Sequence, residues 1–408
     1  TVGKVAAAVD DLDRMKDLLR AGMNIARFNF SHGDHKEQAD RLRMIRRASE
    51  ETDIPVGILL DTKGPEIRTG VMENDAKVQL EPEDRITITT EEIEGSSARV
   101  GINYKQLPDE VEPGKHIFIA DGLIDLEVLE VAGTDVHCVV RSGGILGSRK
   151  NVNIPGVRVS LPAITEKDKA DINFAIDHGM DFIAASFVRK PSDITEIQRI
   201  LQERDCHAHV IAKIEDQEGL DNIEDIIRVS QGIMVARGDL GVQLSTEQIP
   251  LAQKRIIEAC NRQNKPVITA TQMLDSMIRN SYPTRAELTD VANAIFDGSD
   301  AVMLSGETAS GAYPTRATET LHRIAMAVEE SPEYLKRCEK YFSFQQTSPD
   351  IGNAIAKATY VVAGDIEASA IVAPTLRGNT PRLLSKFRPK PNIIAVTTSE
   401  TAYRQLLL

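Results

Sequence analysis

The chain has 408 residues, of which 41% are hydrophobic and 27% are charged, so it can bury a large core divided among two or three domains. Its formal net charge of −13 disfavours nucleic acid and anionic lipid as partners, and an anionic substrate would need a local basic cluster or bound cations. No apolar run approaches the roughly 20 residues that cross a bilayer, so we expect a cytoplasmic protein without a membrane partner.

The first part of the chain alternates helical and strand patterns. Residues 12–23 and 36–51 have helical periodicity, and the short apolar runs NIARFNF and PVGILLD each end in polar residues. This alternation predicts two βα units of a parallel sheet.

A different pattern occupies residues 71–157. Period-2 runs such as VQLEP, RITITT, HIFIA, LIDLEVLEV and HCVVR are separated by Gly, Pro and Asp. They predict a small antiparallel β-barrel domain inserted after a strand of the main sheet, where it is a candidate lid.

Helices and strands alternate again between residues 158 and 331. Five apolar runs there end in polar clusters: AASFV (184–188), AKIE (212–215), VARGD (235–239), TATQM (269–273) and MLSGE (303–307). Each run is too short for a helix, which favours buried strands with reactive residues at their carboxyl ends. Because a (β/α)₈ TIM barrel places functional residues there, we predict such a barrel from residues 1–70 and 158–331.

The last unit, residues 332–408, begins a new α/β pattern. A helix (IGNAIAKATYVVAGD), a strand (ASAIVAP), a TLRGNT loop, a helix (PRLLSKF) and a strand (NIIAVT) follow one another. This order predicts a doubly wound α/β domain, which we expect to be incomplete because it has only two strands.

The AKIE and VARGD clusters carry the strongest chemical signal. Lys213 and Glu215 alternate along one strand end, so both side chains can face one cavity. Glu215 and Asp239, from neighbouring strands, would form a hard-cation site suited to Mg²⁺. A salt bridge between Lys213 and one of these carboxylates, with a purely structural role, is the alternative.

Two earlier strand ends add oxygens and guanidinium groups. The first carries Arg27, Asn29, Ser31 and His32, and the second carries Asp61, Thr62 and Arg68. Neutral oxygens with one carboxylate suit a weakly held monovalent cation, and two guanidinium groups suit phosphate. Taken singly, Asn29 or Ser31 is better explained as a strand-end or helix-capping residue than as a ligand.

Other features favour structural roles. The remaining histidines have no metal-ligand spacing, and Cys138, Cys206, Cys260 and Cys338 are too widely separated for a zinc or CxxC site, so we expect reduced, mostly buried thiols. Ser305 lacks the strand-turn-helix G-x-S-x-G context, which disfavours a hydrolase triad.

Long motifs in a consistent order make the chain resemble the pyruvate kinase family. They include MNIARFNFSHGDH, LLDTKGPEIRTG, AASFVRK, IAKIEDQEGL, GIMVARGDLGV, VITATQMLDSM, PTRAELTDVANAIFDGSDAVMLSGETA and GAYP. The resemblance implies a barrel, an inserted lid and a C-terminal effector domain, commonly assembled as a homotetramer. It also implies phosphoryl transfer from phosphoenolpyruvate to ADP, giving pyruvate and ATP.

The resemblance assigns roles to residues at the matching motif positions. It implies that Lys213 is the catalytic lysine, that Glu215 and Asp239 hold Mg²⁺ or Mn²⁺, and that Asn29, Ser31, Asp61 and Thr62 hold K⁺. It implies phosphate contacts for Arg27 and Arg68, nucleotide contacts for Arg27, His32 and Lys150, and a substrate-carboxylate site on the backbone of Arg237, Gly238 and Asp239. Thr271 and Ser305 are implied in proton delivery to the enolate.

The chain departs from the family pattern at two places. The first strand should read TVGP followed by small polar residues, but Lys4 and an alanine-rich stretch follow Gly3. In the loop implied to bind a phosphorylated effector, Thr375, Gly378 and Thr380 fit, whereas Arg377 replaces a small hydroxyl residue. Two other functions stay open: a metal-dependent enolate lyase on the same barrel, and a non-catalytic metabolite sensor.

Overall fold

The computed structural model describes residues 1–157, 159–344 and 350–408, with the backbone alone for residues 339–344. The predicted domain boundary at residue 158 therefore falls outside the described residues. The first βα units are β1 (Val2–Lys4), α1 (Leu12–Arg20), β2 (Ile25–Asn29), α2 (His35–Thr52) and β3 (Gly57–Asp61). The side chains of Asp11 and Asp34 accept backbone hydrogen bonds at the starts of α1 and α2, which fixes where these helices begin.

The inserted segment is largely antiparallel. It contains β4 (Val78–Leu80), β5 (Arg85–Thr89), β6 (Arg99–Gly101), α3 (Leu107–Glu110), β7 (His116–Ile119), β8 (Ile124–Ala132), β9 (Asp135–Ser142), β10 (Gly144–Leu146) and β11 (Val152–Asn153). Six strands form a sheet in the order β11-β7-β8-β9-β5-β6, while β4 and β10 pair separately. β5 and β6 are parallel, a pairing that alternation of apolar residues along the sequence does not specify.

The second barrel segment supplies five more strands and their helices. Its elements are α4 (Glu166–Asp177), β12 (Phe182–Ala185), α5 (Pro191–Glu203), β13 (His209–Ile214), α6 (Gln217–Asp221), α7 (Ile223–Val229), β14 (Gly232–Ala236), α8 (Arg237–Gln243), α9 (Ile249–Arg262), β15 (Val267–Ala270), α10 (Arg285–Asp297), β16 (Ala301–Leu304), α11 (Gly306–Ala309) and α12 (Pro314–Glu329). Short 3₁₀ turns occupy Ala7–Val9, Glu73–Asp75, Thr246–Gln248 and Asp275–Ile278.

Eight parallel strands close into a barrel in the order β1-β16-β15-β14-β13-β12-β3-β2, which confirms the predicted TIM barrel. Its interior is filled by side chains at alternate strand positions, among them Val2, Leu59, Ile211 and Met234. Because side chains alternate along a strand, residues two positions further along point into the same interior, at the carboxyl ends of the strands.

The C-terminal unit packs against the outside of the barrel. It contains α13 (Pro332–Phe344), α14 (Ile351–Asp365), β17 (Ala370–Pro374), α15 (Asn379–Ser385), β18 (Asn392–Val396) and α16 (Glu400–Gln405), and β17 and β18 are parallel. Arg388 forms an ion pair with Asp300 at 3.0 Å, and Arg404 forms one with Asp181 at 2.8 Å. These pairs join the unit to the barrel.

No helix within the described ranges combines the length and apolar character needed to span a membrane. All four cysteines are free thiols, three of them buried and Cys206 half-buried.

Candidate active site

Lys213 lies at the centre of a buried cluster of charges at the carboxyl end of the barrel. Its Nζ donates to Ser186 Oγ at 2.7 Å and forms ion pairs with Glu215 Oε1 at 2.8 Å and Asp61 Oδ1 at 3.1 Å. Both carboxylate side chains are only 1% exposed. The ammonium therefore lies between two carboxylates, one directly after β13 and one at the end of β3, rather than pairing with a single one.

The charges in this cluster set one another's protonation. Burial alone would lower the pKa of Lys213, but Asp61 and Glu215 outweigh burial and raise it. Burial alone would raise the pKa of Asp61, but Arg27 and Lys213 hold it below its ordinary value. Lys213 and Asp61 are therefore both ionised at neutral pH.

Glu215 behaves differently from Asp61. Burial raises its pKa to about 8, with Lys213 opposing this effect and Asp239 adding to it. Its Oε2 accepts a hydrogen bond from the backbone N–H of Phe187 at 2.6 Å. A carboxyl group with a raised pKa beside a second carboxylate is one that a bound cation would stabilise in its ionised form.

The predicted monovalent-cation residues lie at the adjacent ends of β2 and β3. Asn29 and Asp61 are direct register partners, and Asn29 Oδ1 accepts from the N–H of Ser31 at 2.9 Å. Thr62 Oγ1 accepts from the N–H of Ser186 at 3.1 Å. The strand ends thus place Asn29 beside Asp61, with Ser31 and Thr62 one or two residues further along the chain.

Arg27 belongs to the same cluster. Its Nε donates to Asp61 Oδ2 at 2.6 Å, its Nη2 contacts the same oxygen, and the residue is 8% exposed. His32 lies just beyond β2 and is exposed. Burial, and then the positive charge of Lys4, lower the pKa of His32.

The side chain of Arg237 points away from Lys213. It forms an ion pair with Asp290 of α10 at 2.7 Å and donates to the carbonyl of Thr271 at 2.6 Å. The N–H of Gly238 donates to Thr271 Oγ1 at 2.8 Å. Arg237 thus joins the loops after β14 and β15. Asp239 lies in the first turn of α8 and is exposed, but it is near enough to raise the pKa of both Lys213 and Glu215.

Thr271 has an unusual backbone conformation, with φ of 69°. A positive φ is rare for a β-branched residue, and such residues are concentrated at functional sites. The neighbouring loop after β16 is fixed by Glu307, which is 2% exposed and accepts from the N–H groups of Leu274 at 3.0 Å and Ser305 at 2.7 Å. Thr271 and Ser305 are therefore held at adjacent strand ends.

A cleft of about 610 Å³ separates the inserted segment from the barrel. Its lining includes Arg68, Lys150, Phe187 and Asp239. Arg68 Nε donates to Glu66 at 2.7 Å. Within the described residues, no hydrogen bond or ion pair joins Arg68 or Lys150 to the Lys213 cluster. A second cavity, of about 350 Å³, lies between barrel helices and the C-terminal unit and contains none of the predicted site residues.

The predicted effector residues share one loop of the C-terminal unit. Thr375 Oγ1 accepts from the N–H of Gly378 at 2.9 Å, and Gly378 has φ of 79°. The carbonyl of Arg377 accepts from Arg382 at 3.3 Å, and Thr380 lies in the first turn of α15. Effector binding at this loop stays a prediction.

Ser186 and Glu307 were not among the predicted site residues. Ser186 Oγ accepts from Lys213 and donates to the carbonyl of Thr62 at 2.7 Å, so it joins the strand ends of β3, β12 and β13. Ser186 belongs to the AASFV cluster and Glu307 to the MLSGE cluster, so the strand-end pattern was the signal that could have identified them.

The carboxylate set is small for a metal centre. Across the part of the chain that the structure describes, no group of three or more His, Cys, Asp or Glu side chains is placed to hold a metal ion. Two carboxylates, Glu215 and Asp239, nevertheless fit Mg²⁺, which usually retains waters and takes further oxygens from a phosphorylated substrate.

Comparison with known proteins gives a consistent result. Family models described as pyruvate kinase, barrel domain, and pyruvate kinase, alpha/beta domain, match residues 1–318 and 353–408. A pyruvate kinase of Geobacillus stearothermophilus is 49% identical over 99% of this chain and 69% of its own length, and one of Staphylococcus aureus is 49% identical over 98% and 68%. The crystal structure of a pyruvate kinase from Cryptosporidium parvum superposes with a TM-score of 0.96 at 41% identity, covering 100% of this chain and 84% of that one. The chain belongs to the pyruvate kinase family.

Proposed function

We propose that this chain transfers the phosphoryl group of phosphoenolpyruvate to ADP, giving pyruvate and ATP in the cytoplasm, and that Lys213 stabilises the group in flight. The observation that carries the proposal is the buried ammonium of Lys213 between Asp61 and Glu215 at the carboxyl end of the barrel. Phosphoryl transfer has a loose transition state with charge spread over the equatorial oxygens, so positioning and electrostatic stabilisation supply most of the catalysis.

Glu215 and Asp239 are the proposed ligands of Mg²⁺ or Mn²⁺. Two carboxyl groups near enough to interact electrostatically, one of them buried and with a pKa of about 8, support this assignment. When bound, the divalent ion neutralises negative charge on phosphoryl oxygens. Asn29, Ser31, Asp61 and Thr62 are the proposed K⁺ ligands, supported by the juxtaposition of the ends of β2 and β3.

The remaining residues would orient the substrate and hold the proton. The backbone of Arg237, Gly238 and Asp239 would bind the substrate carboxylate. The N–H of Gly238, which donates to Thr271 Oγ1 at 2.8 Å, would then exchange that partner for the carboxylate. As the phosphoryl group leaves, the enolate of pyruvate remains and must take a proton on carbon. Thr271 and Ser305, on adjacent strand ends, are the proposed route for that proton.

Further proposals concern the assembly and the lid. The inserted residues 71–157 would act as the lid, with Arg68, Lys150 and His32 contacting the phosphates or the nucleotide across the cleft. Residues 332–408 would form the C-terminal effector domain, with Thr375, Arg377, Gly378 and Thr380 receiving a phosphorylated effector. A homotetramer is the proposed assembly.

A coupled assay tests the proposed reaction and its alternatives. Pyruvate formation from phosphoenolpyruvate and ADP is measured with and without Mg²⁺ and K⁺. We expect turnover only with ADP and a divalent cation, and stimulation by K⁺. Pyruvate formation without ADP would indicate a lyase, and binding of phosphoenolpyruvate without turnover would indicate a sensor.

A further inference from the structure

Lys4 is a cation at the barrel mouth that none of the assigned roles includes. It is the last residue of β1, two positions after Val2, whose side chain belongs to the barrel interior. Side chains alternate along a strand, so Lys4 points into the same interior, at its carboxyl end. Lys4 is also the register partner of Arg27, which places the two cations side by side.

The ammonium of Lys4 makes no hydrogen bond or ion pair with any residue in the described ranges, although Lys4 is half-buried. Asp61 acts on it only at longer range, and raises its pKa. Its backbone is fixed, because the carbonyl of Lys4 accepts from Thr308 Oγ1 at 2.9 Å. Burial, and then the neighbouring charge of Arg27, lower the pKa of Lys4. An anion placed beside Lys4 would raise this pKa again, opposing the effects of burial and of Arg27.

The ion pairs of the barrel mouth leave Lys4 out. Arg27 and Lys213 share Asp61, and Lys213 also pairs with Glu215. Lys4 lies beside Arg27 but joins none of these ion pairs. It lies on the side of β1 and β2, where, after burial, its charge is the largest cause of the lowered pKa of exposed His32.

The barrel order places Lys4 opposite Lys213. β13, which carries Lys213, lies four strands from β1 in either direction around the closed barrel, directly opposite Lys4. A transferring phosphoryl group has its donor and acceptor oxygens roughly in line, on opposite sides. If the proposed function holds and the enol phosphate is bound near Glu215 and Asp239, the acceptor phosphate must approach from the side of β1 and β2.

We infer that Lys4 binds the terminal phosphate of the nucleoside diphosphate. Lys4 lies on the required side, makes no ion pair in the part of the chain that the structure describes, and adjoins Arg27 and His32. A contact to phosphate is independent of the base, so Lys4 sets affinity for the diphosphate group and not the choice of nucleoside.

The test compares Lys4→Met with wild type and with Lys36→Ala. Lys36 is an exposed lysine near the start of α2 that makes no ion pair with any described residue, so its replacement controls for the loss of one positive charge at this end of the barrel. Lys4→Met is expected to raise KM for ADP about 10-fold, equivalent to about 1.4 kcal/mol, with kcat and KM for phosphoenolpyruvate changed less than about 3-fold. The KM of Lys4→Met relative to that of wild type is expected to be the same with GDP as with ADP. Lys4→Arg should retain most of the affinity, and Lys36→Ala should resemble wild type.

Calorimetric titration with ADP separates this inference from the proposed function. Weaker ADP binding by Lys4→Met supports the inference even if wild type forms no pyruvate, an outcome that would defeat the proposed function alone. Unchanged ADP binding and KM in a folded Lys4→Met protein would overturn the inference. A changed K⁺ requirement with unchanged ADP affinity would also overturn it, because Lys4 would then act on Asp61 and not on the nucleotide.

Discussion

Replacing Lys213 with methionine removes an ammonium while leaving most of the side-chain volume in place. In wild type the Lys213 Nζ lies 3.1 Å from Asp61 and 2.8 Å from Glu215, and the change leaves these two carboxyl groups buried together without that cation. Ser186 also loses its hydrogen bond from Nζ at 2.7 Å. Two consequences follow, one for catalysis and one for stability.

The catalytic loss can be estimated from the role of a single preorganised donor. Removing one such group from a transition-state site costs about 2.7–4 kcal/mol, or roughly 100-fold to 1,000-fold in kcat. We expect Lys213→Met to lose at least this much turnover, with KM for phosphoenolpyruvate changed less than about 5-fold, because the interaction is strongest in the transition state.

The loss of stability has a pH signature. Breaking a buried ion pair by removing one partner typically costs about 3–5 kcal/mol. Without Lys213, the folded-state pKa values of Asp61 and Glu215 should both rise. A raised acid pKa favours the folded state at low pH, so the deficit relative to wild type should be larger at pH 8 than at pH 5.

A matched control separates the two consequences. Lys167 of α4 forms an ion pair at 2.6 Å with Asp171, a carboxylate that is 1% exposed and lies outside the site. Lys167→Met should therefore lower the thermal transition temperature while preserving kcat in the coupled pyruvate assay. A folded Lys213→Met protein whose turnover stays within about 3-fold of wild type would refute the assigned role.

Three further predictions test the surroundings of Lys213. Ser186→Ala should lower kcat about 10-fold, because a hydrogen bond to a charged group contributes about 1.5–3 kcal/mol. The control Ser192→Ala, at an exposed position, should leave kcat unchanged. A kcat for Ser186→Ala equal to that of the control would contradict the prediction. Thr271→Ser keeps the acceptor for the N–H of Gly238 and should retain kcat within about 3-fold of wild type. Thr271→Val removes that acceptor and should lower kcat about 10-fold or more. Steady-state kinetics that give the two variants the same kcat would contradict this prediction. Glu215 holds a proton in the folded state between its ordinary pKa of 4.5 and its raised pKa of about 8, so the metal-free protein should lose stability as pH rises through this window. Mg²⁺ must displace that proton, so thermal stabilisation by Mg²⁺ should be greater at pH 8.5 than at pH 6 and absent in Glu215→Gln; equal Mg²⁺-induced shifts at the two pH values would contradict the assignment.

The barrel was predictable because strand ends have a strong local signature. Lys213 and Glu215 follow a short apolar run that cannot form a helix, and the alternation of side chains along a strand predicts that both face one cavity. The structure brings them together at 2.8 Å. The contact with Asp61 depends on how β3 and β13 are arranged around β12, which a single strand pattern does not specify.

Side-chain direction was harder to predict than position. Arg237 lies where its motif indicates, but its guanidinium turns to Asp290 because α10 supplies a carboxylate partner there. The parallel pairing of β5 and β6 escaped prediction for a similar reason, since alternating apolar residues fit either strand direction. Lys4 stood out in the sequence only as a departure from a family pattern, and its orientation required the closed barrel.

Anomalous diffraction from crystals grown with Mn²⁺ and pyruvate tests the central claim most directly. The claim is that Glu215 and Asp239 converge beside Lys213 to hold a divalent cation. We expect a manganese peak bound by an oxygen of each carboxylate at a distance on the order of 2.2 Å. A fully occupied peak elsewhere on the barrel, with no density between these two side chains, would contradict the account.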